Sequence, residues 1–223
     1  MKRNFLVGAV MAAGVGLAGA AQAAVIVAPV NVQLLNGGTV NARYQVDNVM
    51  DQSGLNRGYQ PGVTDFDAYI ASGVRHSGEL DTEWAGTRGV SVARLMFDFG
   101  REVTLFKLAL WDENNTSIGR LHLSTPALGS FANFAVAENT GAPYGVSDVF
   151  QFAPIKTRFL TLEFTGCGTE PANQTATGCG LGEIIFADGS AAAVPEPTTW
   201  ALLIGGFGMA GAVLRRRQRL ALA

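Results

Sequence analysis

Aromatic and polar side chains in the predicted loops are the residues of this chain best suited to binding a ligand. Aromatic rings stack on the faces of sugar rings, and guanidinium, amide and imidazole groups form hydrogen bonds with sugar hydroxyls. The residues with this chemistry are Tyr59, Arg75, His76, Trp111, Asn114, Asn115 and Arg120. Packing in a core would also explain Trp111, which ends a predicted strand and opens the polar turn WDENNTSIG.

The sequence does not predict catalysis. His76 and His122 are the two histidines, and His122 lies in the strand-like segment GRLHLS, where a structural histidine is more common than a general base. The sequence has no Gly-x-Ser-x-Gly, His-Glu-x-x-His or phosphate-loop motif. A glycosidase needs two carboxylates facing each other across a cleft, and nothing in the sequence fixes such a pair. We therefore predict a protein that is not an enzyme, and a hydrolase is the weakest of the functional hypotheses.

The segments that would position these residues show the two-residue hydrophobic alternation of β-strands. The residues that this alternation places together on one face of each strand are Leu95, Phe97, Phe99, Phe106, Leu108, Leu110, Phe150, Phe152, Leu160, Leu162, Phe164, Ile184 and Phe186. The runs are short and are bounded by Gly, Pro, Asn or Asp. This pattern predicts an all-β sandwich or jelly roll. One helical turn is predicted around VTDFDAYIASG, where Asp65 and Asp67 suit the helix N-terminus.

Both ends of the chain have the composition of targeting segments. Residues 1–23 begin with MKR, continue as an apolar stretch and end in AQA, which predicts a secretory signal peptide. Residues 199–223 contain an apolar run followed by arginines, which predicts a transmembrane helix with its basic end in the cytoplasm. Residues 191–198 form a linker, and residues 24–190 are long enough for one domain with its own core.

The body between these ends is acidic. Removing Lys2, Arg3 and the four tail arginines leaves 10 of the 16 basic residues, and removing Glu196 leaves 17 of the 18 acidic residues, so the net charge is about −7. Such a charge argues against nucleic acid as a partner and is compatible with a bound cation.

Cys167 and Cys179 are the two cysteines of the chain. Export to an oxidising compartment favours a disulfide between them. In the chain-entropy model, closing a loop of this size stabilises the fold by roughly 3 kcal/mol. A metal site is the weaker alternative, because no histidine lies nearby in the sequence.

The segment VPEPTTWALLIGGFGMAGAVLRRRQRL resembles a PEP-CTERM sorting signal. The matching residues are Pro195, Glu196, Pro197, Trp200, Ala201, Gly206, Phe207, Gly208, Arg215, Arg216 and Arg217. The resemblance implies that an exosortase in the inner membrane of a Gram-negative bacterium recognises the Pro-Glu-Pro motif. The chain would then be held in that membrane transiently before it reaches the cell surface or extracellular matrix. Proteins with this signal often accompany exopolysaccharide production, but the signal implies a destination and not an activity.

The body resembles a discoidin-like (coagulation-factor C-type) domain, which has a galactose-binding-like jelly-roll fold. The resemblance covers about Asn36 to Gly189 and rests on the order of NVMDQSGL, DTEWAG, RLMFDFGREVTLFKLALW, TRFLTLEF and GLGEIIF. It implies that Trp84 packs under the sandwich. The segment NRGYQPGVTDFDAYIASGVRHSGELD departs from the compact first loop of that family.

The same resemblance implies a structural calcium ion. The matching positions are Asp51 and Ser53 in an early loop and Glu183 in the last strand. Calcium takes six to eight oxygen ligands, which carboxylates, carbonyls and water together supply. Alternatively, Glu183 faces solvent at a strand end and Asp51 caps a turn.

Two functional hypotheses lead from these observations. The first is an exported carbohydrate-binding protein that acts on extracellular polysaccharide. The second is a structural or adhesive matrix protein that binds proteins rather than glycans, in which case the loop aromatics would be dispensable.

Overall fold

The computed structural model describes residues 24–79, 81–112, 118–137, 144–168, 178–189 and 203–208. Residues Gln22–Val194 form one compact unit, and the two chain ends belong to another. The predicted signal peptide and linker, and the tail apart from a helical stretch at 203–208, lie outside the described residues. Within the described ranges, no helix combines the length and the apolar character needed to cross a membrane.

The described part of the body consists mainly of β-strands, as the alternation predicts. In chain order they are β1 (Val25–Val27), β2 (Asn31–Asn36), β3 (His76–Ser77), β4 (Trp84–Ala85), β5 (Val92–Asp112), β6 (Arg120–Thr125), β7 (Gly129–Ala135), β8 (Tyr144–Gly145), β9 (Asp148–Thr165) and β10 (Gly180–Asp188). A 3₁₀ helix spans Val46–Met50, and the helix α1 spans Phe66–Ala71. The predicted helical turn is confirmed, because the Asp65 carboxylate caps α1 by accepting the Ala68 N–H at 2.7 Å.

The long strands β5 and β9 each contribute to two layers. Their pairing shifts register between Asp98 and Val103, where Gly100 has a φ of 71°. Before the shift, β5 pairs with β2 and with the second half of β9, which continues to β6 and β7. After the shift, β5 pairs with β10 and with the first half of β9, and β1 extends β10. We call these the first and second layers; all of their pairings are antiparallel.

The main core lies between the two layers. Phe97 of the first layer meets Phe186 of the second edge to face, with ring centroids 5.1 Å apart. Phe134 of β7 also contacts Phe150 of β9 across the layers, with the rings tilted by 40° and their centroids 5.0 Å apart. Trp84 is buried in this core, as predicted. The contacts between layers confirm the predicted β-sandwich.

One predicted strand face is wrong. The alternation of VTLFKLALW places Phe106 with Leu108 and Leu110, but Leu105 is the residue that joins them in the main core. Phe106 instead packs against a second cluster on the outer side of the second layer. The register shifts between Leu105 and Lys107, and a bulge that adds one residue reverses the alternation on either side of it.

The second layer is covered on both faces. On its outer side, Phe66 and Tyr69 of α1 pack in one cluster with Trp111 and Ile185. All nine residues of β10 are therefore buried, including the charged ones. The predicted disulfide between Cys167 and Cys179 is confirmed, and it joins the segment after β9 to the segment before β10.

Candidate functional site

A buried carboxyl group lies in the middle of β10. Glu183 has 0% of its surface exposed. Its Oε2 accepts the backbone N–H of Gln52 at 3.0 Å, and its buried carboxyl also interacts with the Tyr59 hydroxyl. Burial, with a smaller contribution from the charge of Asp51, raises the pKa of Glu183 to about 9, although the Gln52 N–H acts against the shift. The alternative that Glu183 faces solvent is wrong.

The loop that reaches Glu183 is held in an unusual backbone conformation. Gln52 has a φ of 66°, in the left-handed region that few side chains adopt. Its side-chain Oε1 accepts the N–H of Tyr59 at 2.8 Å, so the loop is fastened on both sides of this residue. Asp51 caps the same turn by accepting the N–H of Ser53 at 2.8 Å. The structure thus brings the Asp51–Ser53 loop against Glu183, as the predicted metal site requires.

The structure brings two carboxyl groups, Asp51 and Glu183, to this loop. Among the described residues, no group of three or more His, Cys, Asp or Glu side chains could hold a metal ion. Asp51 and Glu183 would therefore have to be supplemented by backbone carbonyls or water, which calcium accepts as ligands. The buried Glu183 carboxyl, whose charged form burial disfavours, is the feature of this site that a cation would stabilise.

Two tyrosines close the outer side of this buried region. Tyr59 and Tyr69 pack edge to face, with ring centroids 5.6 Å apart, and the Tyr69 hydroxyl donates to the carbonyl of Arg57. Burial raises the pKa of both phenols, that of Tyr69 to about 12, and the charge of Glu183 adds to each shift. Tyr59, predicted to stack on a sugar, is only 9% exposed, so its ring packs inside the fold and does not line the groove.

A solvent-accessible groove lies next to this loop. Its lining residues are Ser53, Gly54, Leu55, Asn56, Arg75 and Ser77, and its volume is about 350 Å³. We call it the loop groove. Two backbone hydrogen bonds join its sides, from the Asn56 N–H to the Arg75 carbonyl at 2.9 Å and from the Ser77 N–H to the Gly54 carbonyl at 2.8 Å. The exposed Arg75 guanidinium supplies its positive charge.

His76 supports this groove from below and does not reach solvent. It is 1% exposed, and its Nε2 lies 3.0 Å from the carbonyl oxygen of Thr82, to which the neutral ring donates. Burial lowers its pKa. A Cβ on Gly54 would lie 1.9 Å from the same Nε2, so the loop approaches the ring as closely as a glycine permits. His76, predicted to bind a ligand, therefore lies behind the groove and does not line it.

The other predicted ligand residues do not converge on the loop groove. Trp111 is 0% exposed and packs among the side chains beneath α1, as the packing alternative predicts. Arg120 lies on β6 of the first layer, where its Nε donates to the Asn133 side chain at 3.3 Å. Asn114 and Asn115 lie outside the described residues, as do the predicted sorting residues Pro195, Glu196, Pro197, Trp200, Arg215, Arg216 and Arg217.

Sequence reasoning missed several residues that build the loop groove. Gln52 fixes the loop through its backbone and its side chain, and Gly54, Leu55 and Asn56 form one wall. The available signal was the run of turn-forming residues in QSGLN. That run predicts a turn but does not reveal that the turn pairs with the segment around His76.

Comparisons with known proteins identify the C-terminal segment and find similar folds. Residues 193–217 match the PEP-CTERM protein-sorting motif, which confirms the predicted sorting signal. No curated protein sequence matches the chain.

Three solved structures illustrate the similar folds. The CBM32 of AlyQ in complex with 4,5-unsaturated mannuronic acid is 17% identical, with a TM-score of 0.44, over 72% of this chain and 96% of that one. A chitosan-binding module from a chitosanase/glucanase of Paenibacillus sp. IK-5 is 14% identical, with a TM-score of 0.44, over 74% and 98%. The CBM32-1 and CBM32-2 domains of Clostridium perfringens ZmpB are 14% identical, with a TM-score of 0.46, over 73% and 34%. Similarity at this level does not assign a ligand.

Proposed function

We propose that this chain is an exported surface or matrix protein whose sandwich domain binds carbohydrate in the loop groove. The observation that carries the proposal is the groove itself. Its volume of about 350 Å³ is within the range of small-ligand sites. The proposed role is binding, without turnover of the glycan.

The side chains around the groove suit a ligand covered with hydroxyl groups. Arg75 donates hydrogen bonds, and the hydroxyls of Ser53 and Ser77 both donate and accept. Leu55 provides an apolar contact for the carbon-bound hydrogens of a sugar ring. A polyhydroxylated ligand needs this mixture of donors, acceptors and apolar surface.

The sorting motif at residues 193–217 supports an extracellular place of action. We propose that an exosortase in the inner membrane processes the chain at this motif. The chain would be held in that membrane only until this processing. The ligand would then be a polysaccharide outside the cell, and the cell's own exopolysaccharide is the candidate we propose.

We also propose that the Asp51–Ser53 loop and Glu183 hold a structural calcium ion. The positive charge of the ion would compensate a carboxylate that burial otherwise keeps protonated. The ion would fix the loop that forms one end of the groove, since Ser53 belongs to both.

The test is binding of purified, exported protein to a glycan array and to extracted exopolysaccharide, with calcium and with chelator. Arg75→Gln removes one charge from the groove and should raise the Kd roughly tenfold, because it removes a charge-assisted hydrogen bond. The matched control is Arg158→Gln, which removes an exposed charge paired with Asp98 outside the groove. Folded protein that binds no glycan, or binding that Arg75→Gln leaves intact, would contradict the proposal.

A further inference from the structure

The solvent side of the first layer carries a row of polar residues that crosses five strands. The strands lie in the order β2, β5, β9, β6 and β7. In that order, the residues that pair in register are Asn36, Arg94, Glu163, His122 and Asn133. Residues directly opposite each other on neighbouring strands project from the same face of a sheet. With strands about 4.8 Å apart, the row is roughly 19 Å long. It therefore suits an extended ligand better than a single small molecule.

A groove follows the middle of this row. Its volume is about 430 Å³, and it is lined by Arg94, Glu163 and His122 of the row, by the hydroxyl groups of Ser124, Ser130 and Thr161, and by Leu35. We call it the sheet groove. Ser124, Thr161 and Ser130 are themselves in register on β6, β9 and β7, so the hydroxyls form a second row beside the charged one.

The charges of this face differ from those of the body as a whole. Arg94 pairs with Glu163 inside the groove, and Arg120 projects from β6 two residues before His122, next to Asn133. The row and the adjoining Arg120 therefore carry two guanidinium groups and one carboxylate, in a body whose net charge is about −7; further along the same two strands, Asp98 is paired with Arg158. A polyanion is repelled by the acidic body and attracted to this face, so the charge favours an anionic ligand in this orientation.

The Arg94 guanidinium can take part in binding without losing its present partner. Its Nε donates to Glu163, and its side chain is 55% exposed. The terminal nitrogens are therefore at the solvent end and can donate to a carboxylate in the paired geometry that guanidinium groups favour. The neighbouring hydroxyls both donate and accept, as sugar hydroxyls require.

We propose that the sheet groove binds a segment of a linear polysaccharide that carries carboxylate groups, as a second site separate from the loop groove. The proposal rests on the proposed function to the extent that both make the domain a glycan-binding module. The loop groove would engage a local sugar unit, whereas the sheet groove would hold an acidic stretch of chain across the strands. Two sites on one domain raise the overall affinity for a long polymer through effective concentration.

The experiment is calorimetric titration of the full chain with a defined oligogalacturonate, and with the neutral oligogalactose of the same length and linkage. Arg94→Gln should raise the Kd for the oligogalacturonate roughly fivefold to tenfold, through loss of a charge-assisted hydrogen bond. The matched control is Arg158→Gln. In the wild type, the Nε of Arg158 donates to Asp98 at 2.8 Å, on the same pair of strands but outside the groove. This control should leave the Kd unchanged.

The outcomes separate this inference from the proposed function. Weaker binding in Arg94→Gln, with unchanged binding in Arg158→Gln, supports the sheet groove, whether or not Arg75→Gln also weakens binding. Equal weakening in Arg94→Gln and Arg158→Gln, or equal affinity of wild-type protein for the acidic and neutral oligomers, overturns it. Loss of binding in Arg75→Gln alone overturns the sheet groove and retains the loop groove. Absence of binding to any glycan by folded wild-type protein overturns both.

Discussion

Replacing Glu183 with glutamine should remove a large part of the pH dependence of stability in metal-free protein. The folded-state pKa of about 9 lies above the ordinary value of 4.5, so the folded chain keeps this proton to higher pH than the unfolded chain does. The free energy of unfolding of the wild-type protein therefore falls as the pH rises from about 4.5 to about 9. Glutamine cannot ionise and can still accept the Gln52 N–H, so the variant should lack this fall.

The size of the effect follows from the distance between the two pKa values. At neutral pH the unfolded carboxyl is about 2.5 pH units above its pKa, and each unit is worth about 1.4 kcal/mol. In chelator at pH 7, Glu183→Gln should therefore be more stable than wild type by about 3 kcal/mol. This is a substantial fraction of the 5–15 kcal/mol typical of a domain. Below about pH 4.5 the two proteins should have similar stability, because both states of the wild type are then protonated.

Urea denaturation at acidic, neutral and alkaline pH, in chelator, measures this difference directly. Glu163→Gln is the matched control, because it makes the same chemical change at a residue that faces the sheet groove and pairs with the exposed Arg94. It should change the free energy of unfolding by less than about 1 kcal/mol. The reasoning is refuted if metal-free wild type and Glu183→Gln keep the same stability difference from acid to alkaline pH.

The same proteins test calcium at this site. Added calcium should stabilise the wild type by about 3 kcal/mol when it is present at a hundred times its Kd. The gain should vanish in Glu183→Gln and persist in Glu163→Gln. Identical calcium responses in wild type and Glu183→Gln would show that the ion does not use this carboxylate.

Two further predictions concern the loop packed on His76 and the disulfide. Gly54→Ala should lower the free energy of unfolding by about 1–3 kcal/mol in urea denaturation, because its Cβ would collide with the buried ring of His76. Gly62→Ala is its comparison, with no atom near the added Cβ and only the strain of a φ of 75°, so a larger loss there would contradict the steric argument. Replacing Cys167 and Cys179 together by serine should cost about 3 kcal/mol; an unchanged denaturation midpoint would show that the loop constraint is negligible.

The alternation of apolar residues was sufficient to predict the long strands β5, β9 and β10 and most of their inward faces. Leu160, Leu162 and Phe164 lie in the main core as predicted. The prediction failed at Phe106 because a bulge depends on the pairing of β5 with two neighbours at once. A period of two residues contains no information about where such an extra residue will be placed.

The candidate site was harder to predict than the fold. Polar and aromatic residue types suggest a ligand, but they do not show whether another element covers them. Trp111 is buried because α1 packs over its face of the second layer, and Tyr59 is buried against Tyr69 of that helix. Arg75 and His76 are adjacent in sequence, yet Arg75 is exposed whereas His76, the first residue of β3, lies under the loop of Gly54.

By itself, the sequence determined which segments form the long strands, which cysteines pair and where the sorting motif lies. Each of these depends on local pattern or on a small number of residues. The tertiary structure decided which side chains meet. Gln52 and Glu183 are 131 positions apart, and their contact exists only because the early loop packs against the last strand. The polar row of the sheet groove likewise depends on the register of five strands that come from separate parts of the chain. Burial and register are properties of the packed chain, so they set the pKa of Glu183 and the placement of Arg94 in ways that no local pattern contains.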